Sequence, residues 1–194
     1  MSEIKEQIQK LRKLSSAGIM DCKKALEEAK GNIEEAEKIL RKKGIAKAET
    51  KADRTTSEGY VASYLHYTGK LGVLVEVLCE TDFVSRSPEF RQFTNEIAIH
   101  IAATEPRFVK REDVPEETIK TEKEVYSGQI KDKPANVVEK IVEGKLEKFY
   151  KETCLMEQMY YKDDKKTIEE FVKEHIAKFG ENIKINRFTM YEIK

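Results

Sequence analysis

Tryptophan is absent from this chain of 194 residues, cysteine occurs three times, glycine nine times, and neither sign of charge is in surplus. Each scarcity excludes something. Cys22, Cys79 and Cys154 are odd in number and far apart, and no CxxC pair exists, so zinc-site spacing is missing. A reduced, intracellular chain is the simple expectation. The glycines form no Walker-type loop, so no known motif here cradles phosphate. Lys plus Arg and Asp plus Glu are equal at 36 each. Proteins that live on a nucleic-acid backbone usually carry a basic surplus, so this balance counts against bulk DNA or RNA binding and leaves room only for a local basic patch. No apolar run approaches membrane-spanning length. The opening MSEIKEQIQK is charged and helical in pattern with no apolar run behind it, so no secretory signal is expected. A soluble, cytoplasmic protein that contacts neither membrane nor nucleic acid is the expectation.

What is present is charge and helix. Hydrophobic residues make up 39% of the chain, enough for one domain or for a small module plus a larger one. The 37% charged content suggests long solvated helices and fits the surface ion-pair networks of heat-adapted proteins.

The first fifty or so residues read as three short helices. Ile4, Ile8, Leu11 and Leu14 form one stripe, and Ser15-Ser16-Ala17-Gly18 breaks it. Cys22, Leu26 and Ala29 line a second helix over residues 20–30. Gly31 suits a left-handed helix end, Asn32 the next N-cap, and Glu35 completes a capping box. Ile33, Ala36 and Leu40 give a third stripe, which Gly44 is expected to end. Residues 46–57 hold almost nothing apolar but alanine and read as a helical or frayed linker. The period then changes to two. Residues 60–65 and 71–80 read as a hairpin around Thr68-Gly69-Lys70. Ser87-Pro88-Glu89 is a helix start, with Phe90, Phe93, Ile97 and Ile101 on one face. Helices follow over 116–129 and from Pro134 onward, the latter carrying Val142, Leu146, Phe149, Thr153, Met156 and Tyr160 on one side. Residues 162–165 read as a loop. Thr167 caps a helix bearing Ile168, Phe171, Val172 and Ile176 that ends at Gly180, and a strand with Ile183 and Ile185 follows. The expected fold is α+β: a three-helix module over residues 1–45, a linker over 46–57, and a core over 58–194 in which helices cover a short antiparallel sheet.

Three chemistries are open to such a chain. Catalysis lacks a motif: neither GxSxG nor HExxH occurs, and His66, His100 and His175 read as structural or surface residues. Cys79, at the end of an apolar strand, reads as a small buried hydrophobe. A thiol enzyme using Cys79 or Cys154 with His66 would need an accessible cysteine of low pKa. Nucleotide binding, the second, lacks a phosphate-cradling glycine loop, and the third chemistry is partner binding. Thr81-Asp82-Phe83-Val84 lies where a strand leaves the sheet and a helix approaches. By spacing alone, Thr81 or Asp82 caps a helical turn and Phe83 fills the core.

Longer stretches carry a resemblance. Leu11-Arg12-Lys13-Leu14 with Ala17-Gly18-Ile19-Met20-Asp21-Cys22-Lys23-Lys24-Ala25-Leu26-Glu27-Glu28-Ala29 resembles the N-terminal signature of the bacterial elongation factor Ts family, as do Arg41-Lys42-Lys43-Gly44 and Ala46-Lys47-Ala48. Val75-Glu76-Val77 running into Glu80-Thr81-Asp82-Phe83-Val84 resembles the family's second signature, and Phe179-Gly180-Glu181-Asn182-Ile183 with Arg187 a third. The resemblance implies an N-terminal module of the ubiquitin-associated type and a non-enzymatic factor that promotes GDP release from elongation factor Tu. It binds that partner GDP-loaded or nucleotide-free and leaves when GTP binds. No cofactor or metal of its own is implied. Thr81, Asp82, Phe83 and Val84 are implied to dislodge the partner's magnesium, and Met20, Asp21, Lys23, Lys24, Phe179 and Gly180 to bind the partner. There is room for only one sheet, as in the family's short form, which implies a homodimer. A short-form relative has a cysteine near its end for an intersubunit disulfide. Arg187-Phe188-Thr189-Met190-Tyr191 has none, so a covalent dimer through that strand is not expected. A ubiquitin-associated-like adaptor with an unrelated core is the main rival, and it leaves the second and third signatures as accidents.

Overall fold

A computed structural model describes residues 2–15, 17–130 and 134–193, with the side chains of 2, 3, 47 and 135 left aside. Ser16, inside the expected first break, lies outside the described residues. The fold is α+β. In chain order its elements are α1 (Ser2–Ser15), α2 (Ile19–Glu28), α3 (Ile33–Glu49), β1 (Glu58–Leu65), β2 (Leu71–Cys79), α4 (Asp82–Ser85), α5 (Pro88–Thr104), α6 (Glu116–Gly128), α7 (Ala135–Thr153), β3 (Met159–Tyr160), β4 (Asp163–Thr167), α8 (Ile168–Phe179) and β5 (Lys184–Glu192). Two compact units divide the chain: Met1–Gly59 with Leu78–Phe90 and Glu170–Lys184, and Tyr60–Val77 with Arg91–Glu169 and Ile185–Lys194.

In the first unit α1, α2 and α3 enclose Leu11, Cys22, Ala25, Leu26, Ala36 and Leu40, with Ile8 and Ile33 packed against them. Burying such side chains stabilises by about 1.5–3 kcal/mol each for the larger ones. Ile4 and Leu14, expected in the same stripe, stand exposed. Between α2 and α3, Lys30 and Gly31 turn through positive φ (51° and 84°), and Asn32 Oδ1 accepts the Glu35 N–H at 3.1 Å. Gly44 does not end α3, which continues to Glu49. Its small size has another use: a Cβ there would stand 3.4 Å from that of Ala177 on α8. Arg41 joins the same two helices through Glu170 (2.8 Å) and Glu174 (3.6 Å), and Lys173 pairs with Glu49 at 3.6 Å.

In the second unit β1 and β2 form the expected hairpin, with Gly69 at φ 68° in its turn, and the sheet order is β1-β2-β5. Alternation gives the sheet two unlike faces. Ala62, Val73, Val75 and Val77 are buried, whereas Val61, Leu65, Leu74 and Tyr191 on the opposite face are exposed. Glu76 and Arg187 share that outer face and pair at 2.6 Å.

Two expected elements end differently. α7 stops at Thr153 and does not reach Tyr160, because Cys154 turns to extended backbone (φ −100°, ψ 116°) and bridges to Phe108. The expected loop at 162–165 falls partly in β4, which pairs antiparallel with β3, Met159 opposite Thr167 and Tyr160 opposite Asp163, and makes a second, two-stranded sheet where only one sheet was expected. Among the described residues no helix is long and apolar enough to cross a membrane.

Candidate functional site

The strand β2 delivers the chain to a single helical turn. Thr81 is still extended (φ −125°, ψ 153°) and caps α4, its Oγ1 accepting the Val84 N–H at 3.5 Å. Arg86 N–H closes the turn on Asp82 O at 3.1 Å. Ser87 then caps α5 by accepting the Phe90 N–H at 3.2 Å, with Pro88 in the first helical position as expected. A turn of four residues sends neighbouring side chains in opposite directions. Val84 and Ser85 are buried, while Asp82 is exposed and Phe83 is 84% exposed. Phe83 therefore does not fill the core, and the core-filling alternative is set aside. Leaving a phenylalanine in water forgoes about 2 kcal/mol or more of burial. Asp82 pairs with Arg86 at 3.2 Å, an exposed i,i+4 pair of the kind that contributes little.

The base of this tip is bonded to the segment after α8. Glu181 accepts the Glu80 N–H and the Thr81 N–H, each at 3.1 Å, and the Thr81 hydroxyl at 2.6 Å. Asn182 N–H donates to Glu80 Oε1 at 2.6 Å. Arg54 also reaches that oxygen, at 3.6 Å. These anchors lie in or beside the second and third signatures, but nothing in their spacing indicated that they meet.

Gly180 ends α8 with φ 77°, its N–H bonded to Ile176 O at 3.0 Å. A left-handed helix end accounts for that glycine. Phe179 is half-buried, its ring edge-on to Phe90 with centroids 5.7 Å apart.

On α2 the two faces separate cleanly. Cys22, Ala25 and Leu26 point inward. Met20 is 62% exposed beside an exposed Ile19, so it is not a core residue of the three-helix region. Lys23 and Lys24 are exposed, Lys23 standing 3.9 Å from Glu27, and Asp21 is half-buried.

The remaining chemistry-bearing groups are internal. Burial, helped by the negative Glu181, pushes the Cys79 thiol up to about 11, and its Sγ–H donates to Thr81 O at 3.3 Å. Burial also raises the Cys154 thiol. Both are the reverse of the low-pKa, accessible cysteine that a thiol enzyme needs. His100 is fully buried and held below the ordinary histidine range by that burial, only partly offset by Gln158 Oε1 at 3.1 Å. His66 bonds the Tyr64 hydroxyl at 3.1 Å, and His175 Nδ1 lies 2.8 Å from Phe171 O. Among the described residues no cluster of His, Cys, Asp and Glu could hold a metal ion. An open cleft of about 520 Å³ in the second unit is lined in part by Lys110, Arg111, Lys151 and Glu157, and Arg111 is already engaged by Glu147 and Glu157.

Comparison with known proteins adds an independent finding. A family model described as Elongation factor TS matches residues 1–194. The chain is similar to the Elongation factor Ts of Thermotoga neapolitana, 57% identical over 186 residues that cover 96% of this chain and 94% of that one. It is 58% identical to that of Thermotoga maritima over the same shares. With the protein of that name from Geobacter sulfurreducens it shares 51% identity over 193 residues, 98% of this chain and 89% of the other.

Proposed function

The chain belongs to the elongation factor Ts family, and from that premise we propose that it is a guanine-nucleotide exchange factor for elongation factor Tu, acting in the cytoplasm. The observation that carries the proposal is Phe83, a large apolar side chain held in water at the end of an anchored turn. Such exposure forgoes burial in the factor alone and fits an aromatic anchor that a partner covers.

The mechanism follows from what a GTPase holds. GDP is bound through a phosphate loop and a magnesium ion that demands near-ideal octahedral geometry. Phe83 parts side chains behind the ion site, as a rigid wedge can. Asp82 leaves Arg86, brings negative charge near the phosphates, and competes for the donors that hold them. Thr81 and Val84 keep the pair in place, one as cap and one as buried anchor. Affinity comes from α2, with Met20, Asp21, Lys23 and Lys24, and from Phe179 and Gly180. Weakening of nucleotide by factor must equal weakening of factor by nucleotide, so GTP rebinding releases the factor. No covalent step is needed, and no cofactor.

Residues 1–45 serve as the ubiquitin-associated-type docking module, 46–57 join it, and 58–194 form the core. Two copies associate through the outer sheet face of Val61, Leu65, Leu74 and Tyr191, an apolar surface of the kind that interfaces cover.

Elongation factor Tu loaded with fluorescent GDP tests the activity. Micromolar factor is expected to accelerate GDP release, and unchanged release contradicts the exchange function.

A further inference from the structure

The segment after α8 does more than end a helix. One carboxylate, that of Glu181, accepts three hydrogen bonds from the base of the tip, two from backbone N–H groups and one from the Thr81 hydroxyl. The next residue, Asn182, is 2% exposed. It donates its backbone N–H to Glu80 and its side-chain amide to the carbonyl oxygens of Ala52 (3.1 Å) and Arg54 (2.8 Å). Two adjacent residues thus hold together three distant stretches: the chain just past α3, the base of the tip, and the turn after Gly180.

Two features give this cluster a directional role. First, the Thr81 hydroxyl works twice, donating to Glu181 and accepting from Val84 N–H. Rotating Thr81 away from Glu181 therefore also disturbs the cap of the turn that carries Phe83. Second, α4 cannot hold its own geometry. A single turn lies below the length at which helices persist unaided. The Phe83 ring, exposed as it is, has no packing of its own to fix its direction. What fixes it is the base, together with the buried Val84 beside it.

We propose that Glu181 and Asn182 are positioning residues for nucleotide exchange, which aim Asp82 and Phe83 and tie that aim to the chain leaving the N-terminal helices. The inference rests on the exchange function above. A group that aims a reacting element without touching the partner changes the rate within the complex and not the affinity that forms it. Arg54, near Glu80 and next to the Asn182 anchor points, belongs to the same link.

The experiment follows release of fluorescent GDP from elongation factor Tu as full-length factor is titrated. The factors compared are wild type, Glu181→Ala, Glu181→Gln, Phe83→Ala and the Glu181→Ala/Phe83→Ala double variant. Glu181→Ala is expected to lower the saturating rate about tenfold or more, the scale of losing hydrogen bonds to a charged group. The half-saturating concentration should stay within about twofold. Glu181→Gln, which keeps one acceptor oxygen, should recover part of the rate. The double variant should be slower than Phe83→Ala by much less than Glu181→Ala is slower than wild type, because the aimed ring is gone and only Asp82 remains to be held. A saturating rate for Glu181→Ala equal to wild type overturns the inference, as do effects of the two single variants that multiply. Should Glu181→Ala fail to fold, Thr81→Val, which removes the hydroxyl that both bonds Glu181 and caps the turn, carries the same expectations. A wild type that does not accelerate release overturns the exchange function and this inference with it. A wild type that does, beside an unimpaired Glu181→Ala, overturns the inference alone.

Discussion

Phe83 and Val84 are adjacent, both apolar, and face opposite ways. Truncating them should separate stability from activity. Val84→Ala removes two buried methyl groups and should cost about 2 kcal/mol. That corresponds to a fall in Tm of roughly 5 °C for a chain of this size. Phe83→Ala removes nothing buried and should leave Tm unchanged within about 1 °C, because exposed substitutions away from structural features are close to neutral. Thermal unfolding followed by circular dichroism measures both, and a large loss for Phe83→Ala would place that ring in the core after all. At this scale the sequence was only partly informative. A four-residue turn is too short to show a period, so the spacing of Thr81, Asp82, Phe83 and Val84 allowed a core phenylalanine. The structure adds the directions: Asp82 and Phe83 face outward and Val84 is the inward anchor. Met20 was ambiguous for a similar reason: it stands at the start of α2, where one position decides between core and solvent.

Among the elements, the long periodic ones were readable. α5 buries Phe90, Phe93, Ile97 and Ile101, and α7 buries Val142, Leu146 and Phe149, all as their spacing required. The misses have physical causes. Gly44 reads as a helix stop until the close approach of Ala177 is known. The apolar period of α7 runs on in sequence to Met156 and Tyr160, yet the backbone leaves the helix at Cys154. The strand β4 is mostly charged, so no alternation announced it; its pairing with β3 carries it. Tyr160, on β3, donates its hydroxyl to Glu96 of α5 at 2.7 Å. Burial pushes the Glu96 carboxyl up, but that bond and those from Lys162 and Gln92 outweigh it and hold the group below its usual range. The same part of α5 carries the buried His100, and its pH dependence can be signed. Its pKa in the fold is depressed, so the unfolded chain takes up a proton near pH 6.5 that the folded chain refuses. Its contribution to stability is therefore complete above about pH 6.5 and declines as pH falls toward the lower folded value. Denaturant midpoints measured from pH 8 to pH 5 should drop for wild type. A His100→Gln variant should show a flatter profile over that range. Equal slopes would assign the acid sensitivity to other groups.

For the whole molecule, the zero net charge, the missing catalytic motifs and the three ordered signatures already pointed to a partner protein. What the sequence could not show was the outer sheet face. Alternation in β1 and β2 is legible, but which of two apolar faces stays uncovered is decided by what packs on the other. If two copies cover that face, wild type at micromolar concentration should sediment at twice the 22.5 kDa chain mass. Leu74→Lys, which puts a charge on the central strand, should shift it to the monomer. A wild type that sediments as a monomer removes the dimer. The central claim is that an exposed, aimed Phe83 drives nucleotide release. Stopped-flow release of fluorescent GDP from elongation factor Tu at saturating factor, wild type beside Phe83→Ala, tests it most directly. The expected result is acceleration by wild type and a rate about tenfold or more slower with Phe83→Ala, equal to at least ~1.4 kcal/mol of barrier. Equal saturating rates for the two proteins would contradict it.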